Sequence, residues 1–377
     1  MATTTTTGSP VPSRDKPGVL KLASPNGIVT KPLLPHPPRD ARPGEIPIID
    51  ISAIFANDLT QRQAVASQIH KAATSNGVFY ISNHGIPEQV IADVYNSGLH
   101  FFRQDLETKL NARSPNTNSF VGYFPPLSMK INPFEGKDLK EMFISRYDPS
   151  LDKTITSLDN VPEVARKHFH YKEIPWEGTS TVPGFKSAMI KYLQAGLGLT
   201  RALMRSIALS LSLSEDYFDE KMRYPNLLTN INYYPAMEQA RSAAGAQVPG
   251  FGSHTDFQVI TVLWQDSVGG LQVLNNEGEW IHAMPIEGTL IVNVADLLQR
   301  ITNDVYVSTV HRAINTSAKE RISITIPTSF GGHETAQVVE TCFGPDGSKK
   351  YEDVTIEQWS TKRLEAMIRI ESQIQAA

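Results

Sequence analysis

His254 and Asp256 stand one residue apart in Ser-His-Thr-Asp-Phe (253–257), and His311 lies further on in Val-His-Arg-Ala (310–313). In an extended segment alternate side chains share a face, so the first two can address one ligand position. With His311 supplied by a later strand, two imidazoles and one carboxylate would occupy one side of a metal and leave the opposite positions open. That facial arrangement suits non-haem Fe(II), the open positions serving O2 and a chelating cosubstrate. A His-x-Asp pair also arises by chance in a chain with ten histidines. In that case Asp256 caps backbone amides in a turn and His254 is a satisfied polar residue. Arg321 and Ser323, in Arg-Ile-Ser ten residues beyond His311, bear on the choice. On a strand they share a face, and a guanidinium fork beside a hydroxyl suits a carboxylate. The plainer reading of Arg321 is a surface strand residue, which its apolar neighbours Ile322 and Ile324 disfavour.

Composition narrows the options. The 377-residue chain has one cysteine, Cys342, which excludes a disulfide framework and a thiolate-rich metal site. Any metal must then be bound by nitrogen and oxygen. The N-terminus lacks the apolar core of a signal peptide, so a cytoplasmic protein is expected. No apolar run approaches a membrane span, and a net charge of −4 gives no electrostatic case for a nucleic-acid or membrane partner. The expected partner is a small-molecule substrate.

Hydrophobic periodicity indicates the elements that would position these groups. Residues 1–44, rich in Thr, Pro, Ser and Gly, are expected to be a flexible N-terminal arm. Residues 45–180 read as a mixed α/β region. It has strands at 45–54 and 78–82, a helix over 59–75 stopped by Asn76-Gly77, and a helix from Pro87 towards Leu110. Within it, residues 111–180 read as loops with short elements, among them Gly-Tyr-Phe-Pro-Pro (122–126) and Lys-Glu-Met-Phe (140–143). Residues 181–345 read as a helix plus a jelly-roll catalytic core. The helix buries Phe185, Met189, Leu193, Leu197, Leu203 and Ile207, and many short strands follow from Leu227. Residues 346–377 end in an amphipathic C-terminal helix with Trp359, Leu364, Met367 and Ile370 on one side.

Several motifs in this order resemble the isopenicillin-N-synthase-like family of iron/2-oxoglutarate-dependent dioxygenases. They are His254-x-Asp256, the distal His311, Arg321-x-Ser323 and Asn-Tyr-Tyr-Pro (232–235) in the C-terminal half. In the N-terminal region they are Ile-Pro-Ile-Ile-Asp-Ile-Ser (46–52), Gly-Val-Phe-Tyr-Ile-Ser-Asn-His-Gly-Ile-Pro (77–87) and Phe-Phe-x4-Glu-x-Lys (101–109). The resemblance covers most of the chain from about residue 45. It implies a mixed α and β fold, with a double-stranded β-helix (jelly roll) core and flanking helices. It implies Fe(II) on His254, Asp256 and His311, 2-oxoglutarate held through its distal carboxylate by Arg321 and Ser323, supporting contacts from Asn232 and Tyr234, and O2 as oxidant. The implied activity is oxidation of a small organic molecule in specialised metabolism, by hydroxylation, desaturation, cyclisation or ring rearrangement.

Two departures concern the neighbourhood of the site. Val-Ala-Asp (294–296) replaces a more usual glycine before the Asp, and Thr-Ile-Pro-Thr-Ser-Phe-Gly-Gly (325–332) lacks a Pro-Phe-Phe run, with Pro327 where an aromatic often faces substrate. Tyr123 and Phe257 are read as candidates for the substrate pocket, against plain core packing. His84 reads as a structural residue of the turn Asn-His-Gly-Ile (83–86), His282 and His333 have no carboxylate partner at metal-site spacing, Trp264 reads as core, and Asp266 reads as a turn residue. Gln373 and Gln375 would approach iron only if the C-terminal helix closed the barrel mouth. Alternative functions are an Fe(II) oxidase of the same fold that does not use 2-oxoglutarate, a catalytically inactive binding module, and a zinc hydrolase, which lacks a general base at a convincing spacing.

Overall fold

The computed structural model describes residues 18–116, 119–238 and 250–376, so residues 1–17 of the expected arm lie outside the described residues. Residues 18–44 differ from that expectation. Gly18–Ser24 (β1) and Gly27–Leu33 (β2) form an antiparallel hairpin, and Leu20 and Leu22 are buried against Leu274, Trp280 and Val310. Their docking surface comes from more than 240 residues further along the chain, so local composition gave no sign of it.

The short strands assemble into two main sheets. One is five-stranded, in the order β3 (Arg39–Asp40), β12 (Trp280–His282), β11 (Leu271–Leu274), β14 (His311–Ala313), β9 (Phe251–His254). The other is eight-stranded, in the order β4 (Ile48–Asp50), β5 (Val78–Ser82), β13 (Thr289–Val294), β10 (Ile260–Gln265), β15 (Arg321–Ser329), β8 (Asn226–Tyr234), β7 (Glu141–Arg146), β6 (Gly122–Phe124). Together they form the double-stranded β-helix of a mixed α and β fold. The region up to residue 180 supplies both flanks of the larger sheet, β4–β5 at one end and β6–β7 at the other. A boundary at residue 180 therefore runs through one continuous sheet.

The larger sheet is covered on both faces, and strand alternation assigns residues to each. On β8, Leu227 and Ile231 pack into the helical core, while Leu228, Asn230, Asn232 and Tyr234 line the space between the sheets. Three helices cover the outer face: α1 (Leu59–Thr74), α2 (Glu88–Phe102) and α3 (Phe185–Ser210). Asp58 caps α1 by accepting from the Thr60 amide at 2.9 Å. The chain leaves α1 through Gly77 at φ +70°, where a Cβ would lie 1.9 Å from the Val307 carbonyl oxygen. The helix expected to run from Pro87 towards Leu110 instead breaks after Phe102. Asp105 restarts it over Leu106–Leu110 by capping the Thr108 amide at 2.8 Å. α3 buries all six of its predicted apolar residues.

The C-terminal helix α4 (Ile356–Ala376) departs in detail from its predicted face. Its buried stripe is Ile356, Trp359, Arg363, Ala366 and Ile370, spaced three and four apart. Arg363 pairs with Asp296 at 2.9 Å, and Leu364 and Met367 lie to the side, at the rim of the cavity between the sheets. No described helix is long and apolar enough to cross a membrane.

Candidate metal centre and anion pocket

His254 ends β9 and His311 begins β14, and the two are direct partners across this antiparallel pair. Their side chains share one face, with ring centroids 4.2 Å apart. Asp256, two residues past His254, brings Oδ1 to 3.6 Å from His254 Nε2 and 3.9 Å from His311 Nε2. One ligand atom from each residue lies within 4.8 Å of the others.

The neighbours fix which atoms face the common point. His254 Nδ1 lies 2.8 Å from the Gly252 carbonyl, and His311 Nδ1 lies 3.0 Å from the Thr309 carbonyl. A carbonyl only accepts, so each Nδ1 carries a proton, and in the neutral ring it is then Nε2 that presents the lone pair. Asp256 Oδ2 accepts from Thr261 Oγ1 at 2.5 Å and from Asn293 Nδ2 at 2.9 Å, leaving Oδ1 to the imidazoles. Burial works against the charge of Asp256, but His311, His254 and the Thr261 hydroxyl outweigh it and hold the carboxyl well below the usual carboxylate range. Burial and the nearby His254 push His311 down to about 4. Two neutral imidazoles and a carboxylate are the protonation states that a divalent metal needs, and an N,N,O donor set fits Fe(II).

Arg321 opens β15 and is 1 % exposed. Its Nε donates to the Gly269 carbonyl, Nη2 to Gln265 Oε1 at 3.1 Å and Nη1 to Ser323 Oγ at 3.3 Å, and the guanidinium lies 4.6 Å from the Tyr234 ring centroid. Among the described residues no carboxylate lies within 4.0 Å of it. A buried cation without a counter-ion is costly, and an anionic ligand at this point would compensate it. Asp266 is a turn residue, accepting from the Val268 amide at 3.0 Å and the Ile322 amide at 2.6 Å, which anchors the start of β15.

The triad, Arg321, Ser323, Asn232 and Tyr234 all line one cavity of about 500 Å³ between the sheets, within the ordinary range for small-molecule sites. Phe120, Phe124, Met142, Ile144 and Leu228 make much of the remaining wall apolar, and Phe257 and Pro327 also line it. Tyr123 does not. On the three-residue β6 it faces away from Phe124 into the core, where its hydroxyl donates to Glu141 at 2.5 Å and its ring packs on Phe101. α4 reaches the cavity through Leu364, Met367, Ile368 and Glu371, while Gln373 and Gln375 are exposed. His84 Nδ1 accepts from the Ile86 amide at 3.2 Å, a turn contact.

Sequence reading missed three polar residues of this site. Thr261 and Asn293 support Asp256 from β10 and β13. Lys140 is buried in the cavity wall, where burial lowers its ammonium to about 7 against the opposing pull of Asp138 and Asp256. None of the three belongs to a compact motif, and only strand pairing brings them to the cavity.

Comparison with known proteins shows which family the chain resembles. A family model described as non-haem dioxygenase in morphine synthesis N-terminal matches residues 46–167, and one described as 2OG-Fe(II) oxygenase superfamily matches residues 225–329. The 2-oxoglutarate-Fe(II) type oxidoreductase ppzC of Metarhizium majus is 48% identical over 92% of this chain and 93% of its own length. The protein of the same name from Metarhizium rileyi is 47% identical over 97% of each. Among solved structures, Neurospora crassa T7H in complex with alpha-KG and thymine is 26% identical with a TM-score of 0.72, covering 86% of this chain and 98% of that one.

Proposed function

The chain belongs to the 2OG-Fe(II) oxygenase superfamily and is an iron(II)- and 2-oxoglutarate-dependent oxygenase of a small organic molecule, and we propose that His254, Asp256 and His311 hold its iron and that Arg321 and Ser323 hold its cosubstrate. One observation carries this assignment. Three ligand atoms and a buried guanidinium that no carboxylate among the described residues pairs with converge on the same cavity.

Bound iron would supply O2 activation, driven by oxidative decarboxylation of 2-oxoglutarate. The Gly252 and Thr309 carbonyls hold the imidazoles with Nε2 forward, and Thr261 and Asn293 hold Asp256 with Oδ1 forward. Arg321, Ser323 and Tyr234 offer a dicarboxylate a charged fork, a hydroxyl and an aromatic wall, and Asn232 adds an amide. The apolar remainder, with Phe124 and Phe257, suits an organic substrate with an apolar body, as specialised metabolism supplies. A cytoplasmic location belongs to the proposal, supported by the single, unpaired and buried Cys342.

The test is anaerobic addition of 2-oxoglutarate to the Fe(II)-loaded protein, followed by a substrate screen read as succinate formation. A visible charge-transfer band in the wild type and none in His254→Ala is the expected result. A band of full strength in His254→Ala would sink the ligand assignment.

A further inference from the structure

We propose that Lys140 is a positioning residue that orients the Asn232 amide so that its Nδ2 donates to bound 2-oxoglutarate; this rests on the assignment of the cavity to that cosubstrate. Among the described residues two lysines are buried, and they differ in one respect. Lys109 is fully accounted for, with Nζ on Glu141 at 2.6 Å and on the Phe102 carbonyl at 2.9 Å. Lys140, 4 % exposed and just ahead of β7, has no carboxylate within 4.0 Å among the described residues. Its Nζ donates to Asn232 Oδ1 at 2.9 Å and lies 3.3 Å from the centroid of the Phe251 ring.

Hydrogen-bond inventory then sets the amide. Asp138 and Asp256 favour the charged form of Lys140, and a bound dianion would favour it further; as an ammonium it has donors only, so Asn232 must offer it Oδ1, and Nδ2 must point the other way. Asn232 is 4 % exposed and lines the cavity, and its Nδ2 donates to no group among the described residues. On β8 it stands directly opposite Ser323, with Tyr234 opposite Arg321. The free amide donor therefore sits beside the guanidinium–hydroxyl clamp, where an oxygen-rich dianion would lie. Without Lys140 the amide could turn over and present Oδ1 to that anion, replacing an attraction by a repulsion. The Phe251 face, 3.3 Å from Nζ, helps hold the ammonium in place.

The experiment is an anaerobic titration of the Fe(II)-loaded full chain with 2-oxoglutarate, read from the charge-transfer band, with Fe(II) affinity and Tm measured for every variant. Lys140→Met should weaken 2-oxoglutarate by about tenfold or more, the scale of one hydrogen bond to a charged group. Asn232→Ala should lose a similar factor, and the double variant should be no weaker than the weaker single variant, because both remove one interaction. Asn232→Asp keeps an oxygen for Lys140 but exchanges the amide donor for a charged acceptor beside the dianion, so its loss should be at least that of Asn232→Ala. Fe(II) affinity should stay within about threefold of wild type throughout. Unchanged 2-oxoglutarate affinity in Lys140→Met, or losses that multiply in the double variant, would overturn the inference alone. A wild-type protein with no band would overturn the cosubstrate site itself and the inference with it.

Discussion

Thr261→Val isolates the contribution of the residues behind the proposed metal site. Thr261 is 3 % exposed, and its hydroxyl donates to Asp256 Oδ2 at 2.5 Å, beside Asn293 at 2.9 Å. Valine keeps the shape and removes the donor. A hydrogen bond to a charged group contributes about 1.5–3 kcal/mol, but the metal-free protein loses part of that as well. Two effects then compete. With one donor fewer Asp256 becomes more basic, which favours metal. It also loses a tether, and can swing towards the Nε2 atoms at 3.6 and 3.9 Å to pair with a protonated imidazole, which blocks metal. The tether should dominate, since supporting contacts of this kind typically alter metal affinity about 10–100-fold. The expected outcome is Fe(II) binding at least about tenfold weaker in an anaerobic competition titration against a chromogenic chelator. Thr261→Ser, which retains the hydroxyl, should stay within about threefold of wild type. Equal or tighter binding by Thr261→Val would refute the reasoning and leave Asp256 oriented by its backbone alone.

Arg321→Met should weaken 2-oxoglutarate about 100-fold or more while leaving Fe(II) affinity near wild type, since a buried charge pair is involved; equal loss of both ligands would count against the clamp. Arg321→Lys should restore little, because an ammonium cannot reproduce the planar fork. Gly77→Ala forces a side chain onto φ +70° and a Cβ to 1.9 Å from the Val307 carbonyl, so a loss of about 3 kcal/mol or more is expected, read as Tm; wild-type stability would show that the turn can move. In metal-free protein the low value of His311, about 4 against an ordinary 6.5, gives a pH dependence with a definite sign. The unfolded chain takes up the proton first, so stability is complete above the unfolded value and falls as pH drops from 6.5 towards 4. The loss is at most about 3 kcal/mol, measured by urea unfolding at several pH values. His311→Gln should lack this component, and an unchanged slope would contradict it.

Sequence alone carried the parts that depend on local periodicity. His254 and Asp256 are two apart and Arg321 and Ser323 are two apart, and in extended backbone that spacing sets a common face wherever the strands finally lie. The six apolar residues of α3 followed from the 3.6-residue period in the same way. Local pattern failed where the element was too short or its partner too distant. β6 has three residues, too few for alternation to show that Phe124 and not Tyr123 faces the cavity. The β1–β2 hairpin is ordered by Leu274, Trp280 and Val310, and Lys140 meets Asn232 only because β7 pairs with β8. A strand's own residues determine which side chains share a face. Which face is buried, what lies opposite, and which polar groups are left without a partner depend on pairing and burial across the whole chain. Those tertiary contacts decided how the triad is held and where a second cation enters the cavity.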